Sequence, residues 1–347
     1  MSTSLAAAPP KVRDVARLPL VEILRCPRCA GRLDDADGLM VCREGGHRYP
    51  VTDGIPRLFV SNEPGDGTRD VTDVVKAFYE ETPFPSYDDL DSRDSLEAKA
   101  RAGVFARLLD EQIAPDALVL EVGCGTGQLT NFLGMDWRRR VVGTDICVNS
   151  LRLAKEFRDR FAVVNADFAQ MNLFRPAVAR ESVDLVVTNG VLHHTADPEG
   201  AFRSILATLR PGGHIMVGLY NWLGRLPTLW RRRLIEVFGD RLATLDRRLR
   251  GGAPATARAT AWFRDQYQHP HESRHSMDEV LRWFARQRVE FVSSLPPVGD
   301  VDFTDDERLF APHRRGTRLD RLSSELEMLI SGGRDGGLFI MIGRKPS

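Results

Sequence analysis

Leu118-Val119-Leu120-Glu121-Val122-Gly123-Cys124-Gly125-Thr126-Gly127 decides how the rest of the chain is read. Leu118, Val119, Leu120 and Val122 form a short, nearly continuous apolar run, the pattern of a strand covered on both faces. Gly123, Gly125 and Gly127 then let the backbone bend tightly and come close to a ligand without Cβ clashes. Gln128 to Leu133 reads as a helix, whose free N–H groups would point into the same space. A glycine turn between a strand and a helix is the general dinucleotide-type fingerprint. Here the spacing is Glu-x-Gly-x-Gly-x-Gly, tighter than Gly-x-Gly-x-x-Gly.

Working outward, the next strand is Arg140 to Asp145, and Asp145 stands about twenty residues beyond the turn, where doubly wound folds place an acid to accept both ribose hydroxyls. Two adjacent hydroxyls need a bidentate acceptor, which a carboxylate is. An acid ending a strand also suits the cap of the next helix. Ser150 to Arg160 reads as that helix and Phe161 to Val164 as the third strand. Ser182 to Val187 is the fourth strand, followed by Asn189-Gly190-Val191-Leu192-His193-His194. After the helix Glu199–Leu209, Pro211-Gly212-Gly213 turns into the fifth strand, His214 to Leu219. Arg288 to Ser293 is the sixth strand and Gly337 to Arg344 the last. Strands alternating with helices imply a parallel sheet covered on both faces, an α/β doubly wound fold.

Composition places no strong pull on partners. The 347 residues hold 48 Lys+Arg against 48 Asp+Glu, so no global field favours nucleic acid or membrane. Lys occurs only at 11, 76, 99, 155 and 345, and the excess of Arg is a compositional skew. No apolar run is long enough to span a bilayer, and the first twenty residues lack a signal-peptide pattern, so the cytoplasm is expected. There disulfides are rare and clustered Cys points to metal. Cys124 and Cys147 read as small buried fillers.

Residues 1–17 are Ala/Ser/Pro-rich and expected to be disordered. Residues 18–61 contain Cys26-Pro-Arg-Cys29 and then Cys42-Arg-Glu-Gly-Gly-His47, the spacing C-x2-C-x12-C-x4-H. Two Cys on one knuckle and a Cys/His pair on another can close a tetrahedron around Zn²⁺. A segment of this size buries too little core to fold alone, so a metal would supply free energy. Residues 62–100 read as a linker and cap, with a helix at Val74–Glu81 broken by Pro83 and Pro85. Phe84 and Tyr87 would either wall the site or act as core staples. Two insertions, 221–276 and 300–335, interrupt the remaining domain, 101–347. The first carries Trp222, Leu226 and Trp230 at helical spacing, Arg231-Arg232-Arg233, later Arg247, Arg248 and Arg250, and then His269, His271 and His275. Lying after the fifth strand, it would sit over the carboxyl edge of the sheet as a substrate lid.

These motifs, taken together, resemble the class I S-adenosylmethionine (SAM) methyltransferases over roughly residues 100–294 plus the last strand. The resemblance implies a Rossmann-like seven-stranded sheet whose last strand is antiparallel and pairs with the sixth. It implies that Glu121 serves the methionine end of SAM, and that Gly123, Gly125, Gly127, Asp145 and Ile146 belong to its binding site. It also implies that Asp167 and Phe168 hold adenine, that Asn189 lies beside the methyl group, and that His193 or His194 is a candidate base. The ribbon segment, with Tyr49-Pro50-Val51-Thr52-Asp53-Gly54, resembles the zinc-ribbon activators of tRNA and translation-factor methyltransferases. Those ribbons often carry a second Cys-x-x-Cys. Gly45 stands at the matching position, so His47 would replace the thiolate.

Three functions compete. A small-molecule methyltransferase, in secondary or lipid/quinone metabolism, is the first. An RNA or protein methyltransferase that docks its target on the ribbon is the second, and neutral net charge weakens it for RNA. A non-catalytic scaffold is the third, opposed by the intact glycine turn with Glu121 and Asp145. Segment 222–233 could also touch a membrane surface.

Overall fold

The computed structural model describes residues 18–62, 70–87, 90–239, 246, 257–299, 306–330 and 336–347. Segment 1–17, most of the linker, the cluster of Arg247, Arg248 and Arg250, and parts of both insertions lie outside the described residues.

A one-turn helix α1 (Leu20–Ile23) leads into four short strands, β1 (Leu33–Ala36), β2 (Leu39–Cys42), β3 (Arg48–Thr52) and β4 (Ile55–Leu58). They form consecutive antiparallel pairs. Two of the reversals are Asp-Gly dipeptides with positive φ at both residues, Asp37-Gly38 (45° and 82°) and Asp53-Gly54 (55° and 70°). That is the two-residue hairpin turn whose twist matches its strands.

The chain continues through α2 (Val71–Glu81), α3 (Arg93–Ala102) and α4 (Val104–Gln112) into β5 (Leu118–Val122), α5 (Gln128–Leu133), β6 (Arg140–Asp145), α6 (Val148–Arg160) and β7 (Ala166–Met171). Then come β8 (Val183–Asn189), α7 (Pro198–Leu206), β9 (Leu209–Tyr220), α8 (Leu226–Phe238), α9 (Ala257–Tyr267), α10 (Met277–Arg286), β10 (Glu290–Leu295), α11 (Arg318–Ile330) and β11 (Leu338–Arg344). The strand order is β1-β2-β3-β4-β7-β6-β5-β8-β9-β11-β10. From β7 to β10 this is the seven-stranded doubly wound sheet expected, with β11 antiparallel to both β9 and β10.

The sheet is larger than seven strands, and the ribbon is not a separate appendage. β4 pairs parallel with β7, Arg57 opposite Gln170 and Leu58 opposite Met171, so the ribbon adds four strands to one edge. Leu24, Met40, Tyr49 and Leu58 belong to the same apolar cluster as Leu118, Leu120 and Val142. The backbone of Arg25 donates to the Ala177 carbonyl at 2.9 Å, and that of Ala179 to the Ile23 carbonyl at 3.0 Å. The ribbon therefore shares the main core and draws less on a metal than an isolated segment would.

The third strand also lies elsewhere than the apolar run Phe161–Val164 suggested. That run is the turn after α6: Ala162 has φ 51° and Val164 is 74% exposed. The strand is Ala166–Met171, where Ala166, Phe168, Ala169 and Met171 are buried. Asp167 and Phe168 are thus inside the strand and not beyond its end. Asp167 pairs with Arg140 and, at 3.3 Å, with Arg158.

Helix α6 begins at the carboxyl edge, and its first N–H groups are capped from a distance. The Glu80 carboxylate on α2 accepts from the N–H of Val148 at 2.9 Å and of Asn149 at 3.1 Å. A carboxylate on orphan N–H groups at a helix start is favoured by both hydrogen bonding and the helix dipole. Glu80→Ala is expected to lower unfolding free energy by about 1–2 kcal/mol, read from urea denaturation. An unchanged midpoint would show that this cap contributes nothing.

Candidate active site and metal cluster

The glycine turn owes its shape to crowding. Gly123, Gly125 and Gly127 all have positive φ (73°, 53° and 70°). A Cβ at Gly125 would lie 2.2 Å from the Phe84 carbonyl oxygen, and one at Gly127 would lie 2.6 Å from the Phe168 ring. The Phe168 ring is therefore the packing floor beneath the turn. The N–H groups of the turn itself are engaged within the protein. Gly125 donates to Asp145 Oδ2 at 2.9 Å, Thr126 to the Phe84 carbonyl at 3.2 Å, and Gly127 to the Cys124 carbonyl at 2.8 Å.

Above the turn lies a cavity of about 940 Å³, bounded by the carboxyl ends of β5, β6, β8 and β9. Glu121, Gly123, Gly125, Asp145, Ile146, Asn189 and His194 line it; Gly127, Asp167, Phe168 and His193 do not. Met171, Asn172, Leu173 and Phe174, just past β7, line it in the place expected of Asp167 and Phe168. Sequence reading missed them because the strand was placed five residues early. Phe84 lines the cavity, whereas Tyr87 is a staple, stacked on Phe157 at 5.0 Å with its hydroxyl accepting from Asn131 at 3.0 Å.

Two carboxylates flank the turn. Glu121 is buried; desolvation pushes it up to about 7, opposed by the Thr130 hydroxyl that donates to Oε2, while the Asp145 charge pushes the same way as burial. Asp145 is likewise pushed up to about 6 by burial, against the N–H groups of Cys147 and Gly125. Among the described residues no ion pair neutralises either one. Cys124 and Cys147 are buried, and burial raises both thiols.

The first insertion covers the cavity from the far side. Trp262, Asp265 and Gln266 of α9 line it; Trp222 and Trp230 do not. The Trp222 indole donates to Glu325 at 2.7 Å, and Trp230 is 70% exposed. The Tyr79 hydroxyl donates to Asp265 Oδ1 at 2.8 Å, and Gln266 Nε2 to Asp265 Oδ2 at 2.8 Å and to the Tyr220 hydroxyl at 2.9 Å. Arg225, fully buried, is occupied by Glu272 at 2.6 and 2.9 Å and by Gln266 Oε1 at 2.6 Å.

The histidines form a closed chain. His194 Nδ1 lies 2.8 Å from the His271 carbonyl, which only accepts, so Nδ1 carries the proton. His194 Nε2 then accepts from His193 Nε2 at 3.1 Å, and His193 Nδ1 accepts from the Tyr220 N–H at 3.3 Å. Every nitrogen of His193 and His194 is used, so neither ring has a lone pair left for an acceptor proton. His269 stacks on His194 at 3.6 Å. Burial, and then the neighbouring His194, lowers the pKa of both His193 and His269. The His269, His271 and His275 triplet does not gather as a metal site; among the described residues only Cys26, Cys29, Cys42 and His47 do.

In that cluster the four ligand atoms all lie within 4.8 Å of one another. Cys29 and Cys42 Sγ are 3.4 Å apart, and His47 Nδ1 is 3.4 Å from Cys26 Sγ. Three thiols and an imidazole at these separations fit tetrahedral Zn²⁺. A Cβ at Gly45 would lie 2.5 Å from the His47 ring, so His47 fills the space a side chain at 45 would need. The Tyr49 hydroxyl at 3.0 Å from Cys26 Sγ and the Gly45 N–H at 3.3 Å from Cys42 Sγ supply the outer hydrogen bonds such a site uses.

Two outcomes are expected. Purified protein should contain one equivalent of zinc by elemental analysis, lost in Cys26→Ser/Cys29→Ser and weakened in His47→Ala; metal retained in the double variant would reject the cluster. The neutral histidine chain should make the protein acid-sensitive. A histidine whose folded pKa is depressed contributes stability above its unfolded value, about 6.5, and loses it as pH falls toward the folded one, at up to ~1.4 kcal/mol per pH unit. His269→Gln should therefore flatten the fall in melting temperature between pH 7 and 5 relative to the parent, and an identical slope would count against the effect.

Residues 120–217 match the methyltransferase domain model and residues 17–54 the Trm112p-like protein model. An uncharacterized protein of Synechococcus sp. is 26% identical over 229 residues, 59% of this chain and 54% of that protein. Trans-aconitate 2-methyltransferase of Azoarcus sp. is 28% identical over 163 residues, 44% of this chain and 60% of that enzyme. The chain thus spans little more than half the length of these relatives. The fold is shared with PKMT2 from Rickettsia typhi, at a TM-score of 0.50 and 13% identity over 70% of this chain and 52% of that one. The glycine turn, strand order and Cys/His cluster meet in these matches: residues 120–217 match a methyltransferase domain on a class I-type doubly wound sheet, and residues 17–54 match a Trm112p-like segment whose Cys/His cluster could hold a metal.

Proposed function

We propose that the protein transfers a methyl group from SAM to a small-molecule acceptor. The observation that carries this reading is the pair of carboxylates, buried Glu121 and half-buried Asp145, beside the glycine turn and facing the cavity without a cationic partner among the described residues. SAM brings the missing positive charge, and on this reading Asp145 takes its ribose hydroxyls. SAM supplies an already activated methyl group. The protein's part is to hold the reactants in line and exclude water, for which α2, Phe84 and α9 form the cover. A cavity of about 940 Å³ is at the upper end of small-molecule sites and suits a cofactor with a second ligand.

A macromolecular acceptor docked on the ribbon is the second reading, favoured by the Trm112p-like match. Against it, β4 of the ribbon is already occupied by β7. A Zn²⁺ held by Cys26, Cys29, Cys42 and His47 would be structural, since four protein donors leave no open position.

The two raised carboxylates set a pH signature for SAM binding. Glu121 (about 7) and Asp145 (about 6) are partly protonated in the free protein below those values, and a cationic ligand favours their ionised forms. Binding therefore releases protons, and affinity should fall by at least about tenfold from pH 7.5 to 5.5 by calorimetry. Asp145→Ala should cost about 1.5–3 kcal/mol at pH 7.5. Undiminished affinity in that variant would refute the ribose assignment, and a flat pH profile would refute the carboxylate pair.

A further inference from the structure

The side chains that line the cavity carry charge of one sign only. Among the described residues no Lys or Arg reaches it, while Glu121, Asp145, Asp265 and Glu327 do. On the proposed function, Glu121 and Asp145 belong to the cofactor. Asp265 belongs to the other wall, on the insertion that follows β9. It is 95% buried by its 5% exposure, and among the described residues no ion pair reaches it. Burying a carboxylate without a cation is unfavourable unless hydrogen bonds or a ligand compensate. Tyr79 and Gln266 supply one donor to each oxygen, which fixes the carboxylate plane and leaves lone pairs on both oxygens. The Tyr79 phenol is raised well above its usual value by burial and by the Asp265 charge, so it stays protonated as the donor. Arg225 of the same insertion is held by Glu272, Gln266 and the Gly336 carbonyl and is not offered to a ligand. The same cavity is lined by the apolar side chains of Phe84, Trp262, Leu295, Pro296, Met328 and Ile340.

We infer that Asp265, held by Tyr79 and Gln266, anchors the methyl acceptor, and that the acceptor is an apolar molecule presenting an O–H or N–H donor and carrying no negative charge. The inference rests on the proposed function and narrows it. A carboxylate or phosphate acceptor entering beside the cofactor meets Asp265 and Glu327 and, among the described residues, no Lys or Arg. A hydroxyl or amine meets an oriented acceptor in a water-poor site, where a charge-assisted hydrogen bond is strongest. His194, the one histidine among the described residues lining the cavity, has both nitrogens engaged, and of the two carboxylates on the acceptor side, Asp265 and Glu327, Asp265 is the one buried and oriented by two donors.

The test uses the full-length protein with S-adenosylhomocysteine bound, and three probes of one shape: 2-naphthol, 2-naphthylmethylamine and 2-naphthoate. Calorimetry or ligand-observed NMR should show the two donors binding at least tenfold more tightly than the carboxylate. Asp265→Asn, a near-isostere, should lower affinity for the amine at least tenfold and for the naphthol severalfold, and should narrow the gap to naphthoate. Tyr79→Phe, which removes only the positioning hydroxyl, should weaken both donors by a smaller factor. S-adenosylhomocysteine affinity should stay unchanged in both variants, which also reports that they are folded. Naphthoate binding as well as the donors, no binding by either donor, or unaltered amine affinity in Asp265→Asn overturns the inference alone. Failure of the parent protein to bind S-adenosylhomocysteine overturns the proposed function and the inference with it. Preference for the amine over the naphthol identifies an N-acceptor, and the reverse an O-acceptor; either supports the anchor.

Discussion

Where β5 ends, the backbone has no room for a side chain, and much of the molecule is arranged around that fact. The Phe84 carbonyl presses on Gly125 from above and the Phe168 ring on Gly127 from below. Left-handed conformations at three alternate residues let the chain pass between them, and glycine alone adopts these without strain. The same crowding ties together parts far apart in sequence. The segment before the domain supplies the roof, β7 the floor, and β6 the Asp145 carboxylate that receives the Gly125 N–H at 2.9 Å. Loosening any of the three would release the turn and with it the end of the cavity where Glu121 and Asp145 meet.

Electrostatics at the site follow from burial more than from pairing. Glu121 and Asp145 sit in low dielectric with hydrogen-bond donors but no cations, so each is held above its ordinary range. Such a pair is unfavourable in the empty protein and becomes favourable when a positive ligand arrives. The histidines show the complementary arrangement: His193 and His194, buried with lowered pKa values, bond to each other and to the His271 carbonyl and so join the 269–275 stretch to the end of β8. They hold a wall in place, and the carboxylate of Asp265 is what that wall presents.

The ribbon illustrates how a weakly cored segment gains stability in two ways at once. Its three thiols and His47 bring two knuckles together in a cluster that could hold a metal, and its last strand is sewn onto β7. An edge strand exposes unpaired backbone groups that invite other chains. Here β4 covers that edge of the β7 strand from within the same polypeptide.

The sequence determined the layered α/β architecture, the glycine turn, Asp145 at the end of β6 and the Cys/His spacing, because each is written in local signals: apolar runs, glycines at fixed intervals, and ligand pairs on short loops. It misplaced the third strand, because Phe161–Val164 is as apolar as a strand yet is used as the turn that ends α6. With it went the reading of Asp167 and Phe168, one an ion-pair partner and the other a packing residue. Only the tertiary structure decided that Tyr79 meets Asp265 across 186 residues, that Trp262 and not Trp222 or Trp230 faces the cavity, and that Leu58 pairs with Met171. No local pattern encodes such contacts. They depend on which faces are buried once helices and strands pack, and a single charged or aromatic residue has the same sequence signature whether it points into a cavity or into solvent.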